Sequence, residues 1–104
     1  MHGEALASAV RFASAALDRG HSIRMVFFHG DAVLALAQPA DSGFRPLDRL
    51  AALARAQGIP LLACQAAIER LGIARAIDAP VAIGSLGQWA DALFEVDRVL
   101  EFAA

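Results

Sequence analysis

The chain contains no lysine. All nine of its basic residues are arginine, which removes Schiff-base and phosphate-loop lysine mechanisms from consideration. It has a single cysteine, Cys64, so no internal disulfide can form. Its uninterrupted apolar runs fall far short of the roughly 20 residues needed to cross a bilayer. The first residues lack the charged stretch followed by an apolar one that marks a secretory signal. No segment is strongly basic and the net charge is −2, so the sequence offers no surface suited to tracking nucleic-acid phosphates. These absences predict a reducing, cytoplasmic setting with no direct nucleic-acid partner and no membrane. No metal is expected either, because three histidines and one cysteine at scattered positions do not make a ligand spacing. Gly84 and Gly87 beside Ser85 superficially resemble a phosphate loop, but no fingerprint is complete, and no cofactor is predicted.

What is present is apolar and rich in alanine. The 104 residues are 58% hydrophobic, against a usual level of about 45–50%, enough for one domain spanning 1–104. Such an excess is met either by alanine-rich helices or by apolar surface left for partner subunits.

Periodicity divides the chain into alternating elements. Leu6, Val10, Ala13 and Leu17 recur at helical spacing within residues 4–19, and Gly20 supplies a stop. Residues 23–28, Ile-Arg-Met-Val-Phe-Phe, read as a strand covered on both faces, closed by His29-Gly30-Asp31. Residues 37–45 have loop chemistry and are expected at the surface, contacting a subunit or shielding a site. A helix is predicted from Pro46 to Gly58 with Leu47, Leu50, Leu53 and Ala54 on one face, then a strand over 59–63. After Cys64 a short helix runs to Leu71 and stops at Gly72. A mixed connection over 73–80 leads to a short strand at 81–83. Ser85 and Gln88 form a capping-box pattern that opens a last helix, with Leu86, Trp89 and Leu93 expected in the core, and residues 98–102 read as a final strand. Alternation of this kind predicts an α/β fold with a mainly parallel sheet and helices on both faces, a three-layer α/β/α sandwich.

In such sheets ligands gather at the carboxyl ends of the strands, where this sequence places its most reactive side chains. Cys64 stands between an apolar strand and a helix, where unpaired backbone N–H groups favour a thiolate. That makes it a candidate nucleophile or carrier, against the plainer alternative of a buried, inert thiol. His29 and Asp31 close the other strand and are candidates to orient Cys64, or else they satisfy the turn. Arg70 is a candidate contact for an acidic partner, or else part of a solvated helix face. A cysteine hydrolase is disfavoured, since the chain offers no obvious oxyanion loop and little room for a substrate cleft.

Three stretches together carry a family resemblance: residues 20–33 around Phe27-Phe28-His29-Gly30-Asp31; Leu61-Leu62-Ala63-Cys64-Gln65-Ala66-Ala67 with Glu69-Arg70-Leu71-Gly72; and Gly84-Ser85-Leu86-Gly87-Gln88 with Asp97-Arg98-Val99-Leu100-Glu101-Phe102. In this order and spacing they resemble the DsrE/TusD family of sulfur-relay proteins. The resemblance implies an α/β/α sandwich and a persulfide carried on Cys64, making the chain a sulfurtransferase. It further implies a sulfur donor protein, a small acceptor protein with a reactive cysteine, and homo- or hetero-oligomers with related subunits. The end use in that family is thiouridine synthesis in tRNA or sulfur oxidation. The chain departs from the pattern in several places. The family opens with a strand before its first helix, which is expected to be absent here. His29 stands for a frequent tyrosine, Ala32 for a usual glycine, and Glu69-Arg70 for a double arginine. The alternative function is a non-catalytic structural subunit of a sulfur-relay oligomer.

Overall fold

The computed structural model describes residues 2–37, 45–74 and 80–102. Helix α1 (His2–Asp18) is followed by strand β1 (Val26–Phe28), a 3₁₀ helix (Gly30–Ala37), α2 (Pro46–Gln57), β2 (Leu61–Cys64), α3 (Gln65–Leu71), β3 (Val81–Gly84) and α4 (Leu86–Leu93). The three strands form one parallel sheet in the order β1-β2-β3. Each crossover carries a helix, as parallel connections require. The result is an α/β sandwich.

The register shows how the layers are filled. Val26 pairs with Leu61 and Val81, Phe27 with Leu62 and Ala82, and Phe28 with Ala63 and Ile83. Because side chains alternate across a sheet, Phe28, Leu61, Ala63 and Val81 share one face. There they form a core with Val10 of α1, Leu50 and Ala54 of α2, and Val33 and Leu36 of the 3₁₀ helix. Phe27 and Leu62 point to the other face, where Trp89 of α4 lies against Phe27 with ring centroids 6.1 Å apart. Leu61, Ile68, Val10 and Val33 are the largest fully buried side chains, each contributing about 1.5–3 kcal/mol by its removal from water.

Helix ends agree with the sequence signals. Pro46 opens α2, and the Arg45 backbone N–H donates to Asp48 Oδ2 at 2.9 Å, with the Arg45 guanidinium 3.1 Å from Oδ1. At α4 both bonds of the capping box form: Gln88 N–H donates to Ser85 Oγ, and Ser85 N–H donates to Gln88 Oε1. Gly72 ends α3 at φ 68°, a left-handed conformation that a side chain would strain.

Several expectations need correction. The strand predicted over 23–28 is shorter, because its ladder begins only at Val26, whose N–H donates to the Pro60 carbonyl. The second strand runs through Cys64 instead of stopping before it. No residue of α4 is buried, and Leu86 is exposed, so Leu86, Trp89 and Leu93 are not core. The helix lies on the Phe27 side of the sheet, and only part of its surface is covered. Residues 98–102 do not form a strand. A strand requires a neighbouring edge, and the C-terminal segment is tied down by side chains instead: Arg24 pairs with Glu95, His29 with Glu101, and Phe12 with Phe102. Most of the loop expected over 37–45, and the connection over 75–79, lie outside the described residues.

Candidate functional site

Cys64 is the last residue of the central strand and the N-cap of α3. Its backbone is extended at φ −62° and ψ 120°, after which the chain turns directly into helix with no intervening loop. The local sequence explains this junction. Leu61, Leu62 and Ala63 fill a strand buried on both faces, and Gln65-Ala66-Ala67 combine good helix formers with small side chains. The thiol makes no capping hydrogen bond. Cys64 is only 7% exposed and belongs to the core cluster with Ala67 and Ile68.

Its neighbours along the sheet differ sharply. On one side the register sets Cys64 opposite Gly84. A Cβ added there would come within 3.0 Å of Leu62 Cδ1 and Gln88 Oε1 and 3.2 Å of Leu62 Cβ, so a side chain fits only if these neighbours give by a few tenths of an ångström. On the other side, the pairing of Phe28 with Ala63 brings His29 level with Cys64 at the end of β1. His29 is exposed, stacks on Phe27 at 6.5 Å between ring centroids, and places Nε2 2.8 Å from Glu101 Oε2. Asp31 is exposed as well and faces Arg70 of α3 across 3.7 Å.

The topology therefore brings Cys64, His29 and Asp31 to one edge of the sheet, as alternation of strands and helices predicts. Among the described residues, however, neither His29 nor Asp31 is hydrogen-bonded to the thiol; each has a partner of its own. Arg70 meets an acid within the chain. Glu101 and Gly84 also belong to this edge, although sequence reasoning does not place them there. Glu101 carries no local signal, since its role depends on where the tail runs, whereas Gly84 has one in its place just before the Ser85 cap.

No group of three or more His, Cys, Asp or Glu side chains suited to a metal occurs among the described residues. No helix among them is long and apolar enough to cross a membrane. A cavity of about 110 Å³ lies at the opposite, amino-terminal end of the sheet, lined by Leu17, His21, Ser22, Ile23, Gln57 and Ile59. It is remote from Cys64 in the topology.

A buried cysteine closing the middle strand of a parallel sheet, with a glycine beside it, is set in a chain that known proteins resemble along nearly its whole length. The model of the DsrE/DsrF-like family matches residues 1–102. The chain belongs to the DsrE/DsrF-like family. The putative sulfurtransferase DsrE of Allochromatium vinosum is 34% identical over 110 residues, covering 91% of this chain and 85% of the relative. The sulfurtransferase TusD of Serratia proteamaculans is also 34% identical, covering 91% of this chain and 85% of the relative. The TusD homolog of Vibrio cholerae is 32% identical, with 91% and 84% covered. Family membership thus extends across both sides of the site, from β1 to the tail that carries Glu101.

Proposed function

We propose that this member of the DsrE/DsrF-like family is a cytoplasmic, single-domain sulfur-relay protein that carries sulfur as a persulfide on Cys64. The observation that carries the reading is the position of its one thiol, at the carboxyl end of the central strand, in a chain whose relatives are named sulfurtransferases. In its thiolate form Cys64 attacks the terminal sulfur of a donor protein's persulfide. The donor's S–S bond breaks, the donor leaves as a thiolate, and a new S–S bond forms on Cys64. A thiolate on a small acceptor protein then takes the outer sulfur and regenerates Cys64, so neither transfer needs an external oxidant or reductant. The receiving thiol lies on another protein, because this chain holds no second cysteine. Sulfur carried this way serves tRNA thiolation or sulfur oxidation, in a homo- or hetero-oligomer of related subunits.

Mass spectrometry of the intact protein after incubation with a persulfide donor tests this directly. The wild type gains the mass of one sulfur atom, and Cys64→Ser gains none. Absence of the adduct on wild-type protein with a competent donor overturns the carrier role.

The burial of Cys64 favours a second reading, a non-catalytic subunit of a sulfur-relay oligomer that uses the same fold for packing. Exposed Leu86, Phe94 and Leu100 would then serve the assembly. In that case Cys64 resists alkylation in the native protein while association with related subunits persists.

A further inference from the structure

A relay thiol that is 7% exposed needs a way to be reached. Three observations converge on one segment. First, the parallel register sets His29 level with Cys64, so Gly30 to Ala32 lie just beyond the thiol's end of the sheet. Second, these residues are the first turn of the 3₁₀ helix, which packs on both β2 and α3, the two elements that meet at Cys64. Runs of 3₁₀ helix longer than about 3–4 residues are uncommon because their hydrogen bonds are poorly aligned, and this one spans eight. Third, the two ends of the segment are held very differently. Val33 and Leu36 are buried in the core, whereas none of Gly30, Asp31 and Ala32 is buried, and the first turn is tied to α3 by the exposed Asp31–Arg70 pair. Gly30 opens the turn, at φ 57°, where a residue without Cβ turns most freely.

We propose that the first turn of the 3₁₀ helix, Gly30 to Ala32, is a gate over Cys64, hinged at Gly30 and latched to α3 by the Asp31–Arg70 ion pair. Opening moves only this turn; Val33 and Leu36 keep their places in the core. Arg70 is then a positioning residue: it acts on the thiol through Asp31 and not by touching sulfur. The inference rests on Cys64 being the thiol that accepts sulfur.

The test is the rate at which Cys64 in the native protein reacts with a small uncharged alkylating reagent. Asp31→Asn and Arg70→Gln are each expected to raise that rate about 1.5- to 5-fold, the conversion of an exposed ion pair of about 0.2–1 kcal/mol. The double variant should react no faster than either single one, because both remove the same latch. Exchanging the two charges, Asp31→Arg with Arg70→Asp, should return the rate toward wild type. Raised salt should speed the wild type toward the Asp31→Asn rate and leave that variant unchanged. Unchanged rates in both single variants, additive effects in the double, or a thiol that stays unreactive in all of them would overturn the gate. Failure of the relay itself reads differently: the alkylation rates shift as expected while no persulfide adduct appears on the wild type.

Discussion

β1 and β2 end side by side at the same edge of the sheet, yet one end is open and polar and the other closed and apolar. β1 gives way to His29 and Asp31, both exposed and both paired with a charged group of another element. β2 ends in Cys64, buried and continuous with α3. The difference comes from position in the sheet and from the element that each strand leads into. β2 is flanked by strands on both sides and runs straight into a helix that covers its end. β1 has a strand on one side only among the described residues, and a left-handed glycine turns the chain away. Location at a strand's carboxyl end therefore gathers reactive side chains without deciding which of them solvent can reach.

That contrast can be broken by substitutions at each end. The largest effect is expected at the closed end. Ile68→Ala, beneath the first turns of α3, should cost about 2–5 kcal/mol in urea unfolding, because the space it leaves cannot collapse fully. Glu101→Gln at the open end should cost less than about 1 kcal/mol, as for other exposed pairs. Similar losses at the two sites would erase the distinction between the ends.

A smaller effect is expected beside the thiol. Gly84→Ala puts a methyl group against Leu62, whose Cβ is fixed by the strand and cannot swing away, so overpacking of about 1–3 kcal/mol should result. Urea unfolding measures it, and a neutral substitution would show that β3 and α4 yield easily at this point.

The smallest effect lies away from both ends and serves as a reference for the charged pairs. The Arg45 guanidinium and backbone N–H hold the Asp48 carboxyl below its ordinary range. Because the folded state favours the carboxylate, this contribution to stability is present above the ordinary carboxylate range and is lost as pH falls through the depressed folded value. An Asp48→Asn variant should therefore lose less stability on acidification than the wild type, by a small margin. Thermal melts across the acid range check this; identical acid profiles would count against the α2 cap as a source of pH dependence.

Much of the closed end is legible in the sequence and much of the open end is not. The apolar run before Cys64, the helix formers after it and Gly72 are local signals, and each acts within a few residues of where it stands. The Ser85–Gln88 capping box is equally readable and forms both of its bonds. The 3₁₀ helix escapes such reading because Gly30–Ala37 has neither the alternation of a strand nor enough turns to establish a helical stripe. The tail reads as a strand on its apolar residues, but whether such a segment pairs depends on an edge elsewhere in the chain. The same non-locality hides Glu101, whose partner His29 lies 72 residues earlier. The core placement of Trp89, Leu86 and Leu93 fails for a related reason: a stripe shows which side of a helix is apolar, not how much of it another layer covers.

Cys64 belongs to the sheet on one side and to the helix on the other, with no hinge between them. Its α-carbon is thus fixed from both directions, and the sulfur can travel only by rotation about a single side-chain bond, among about three staggered positions. In the relay proposed above, sulfur arriving at this point and sulfur leaving it share one small arc, so donor and acceptor take turns at the same approach.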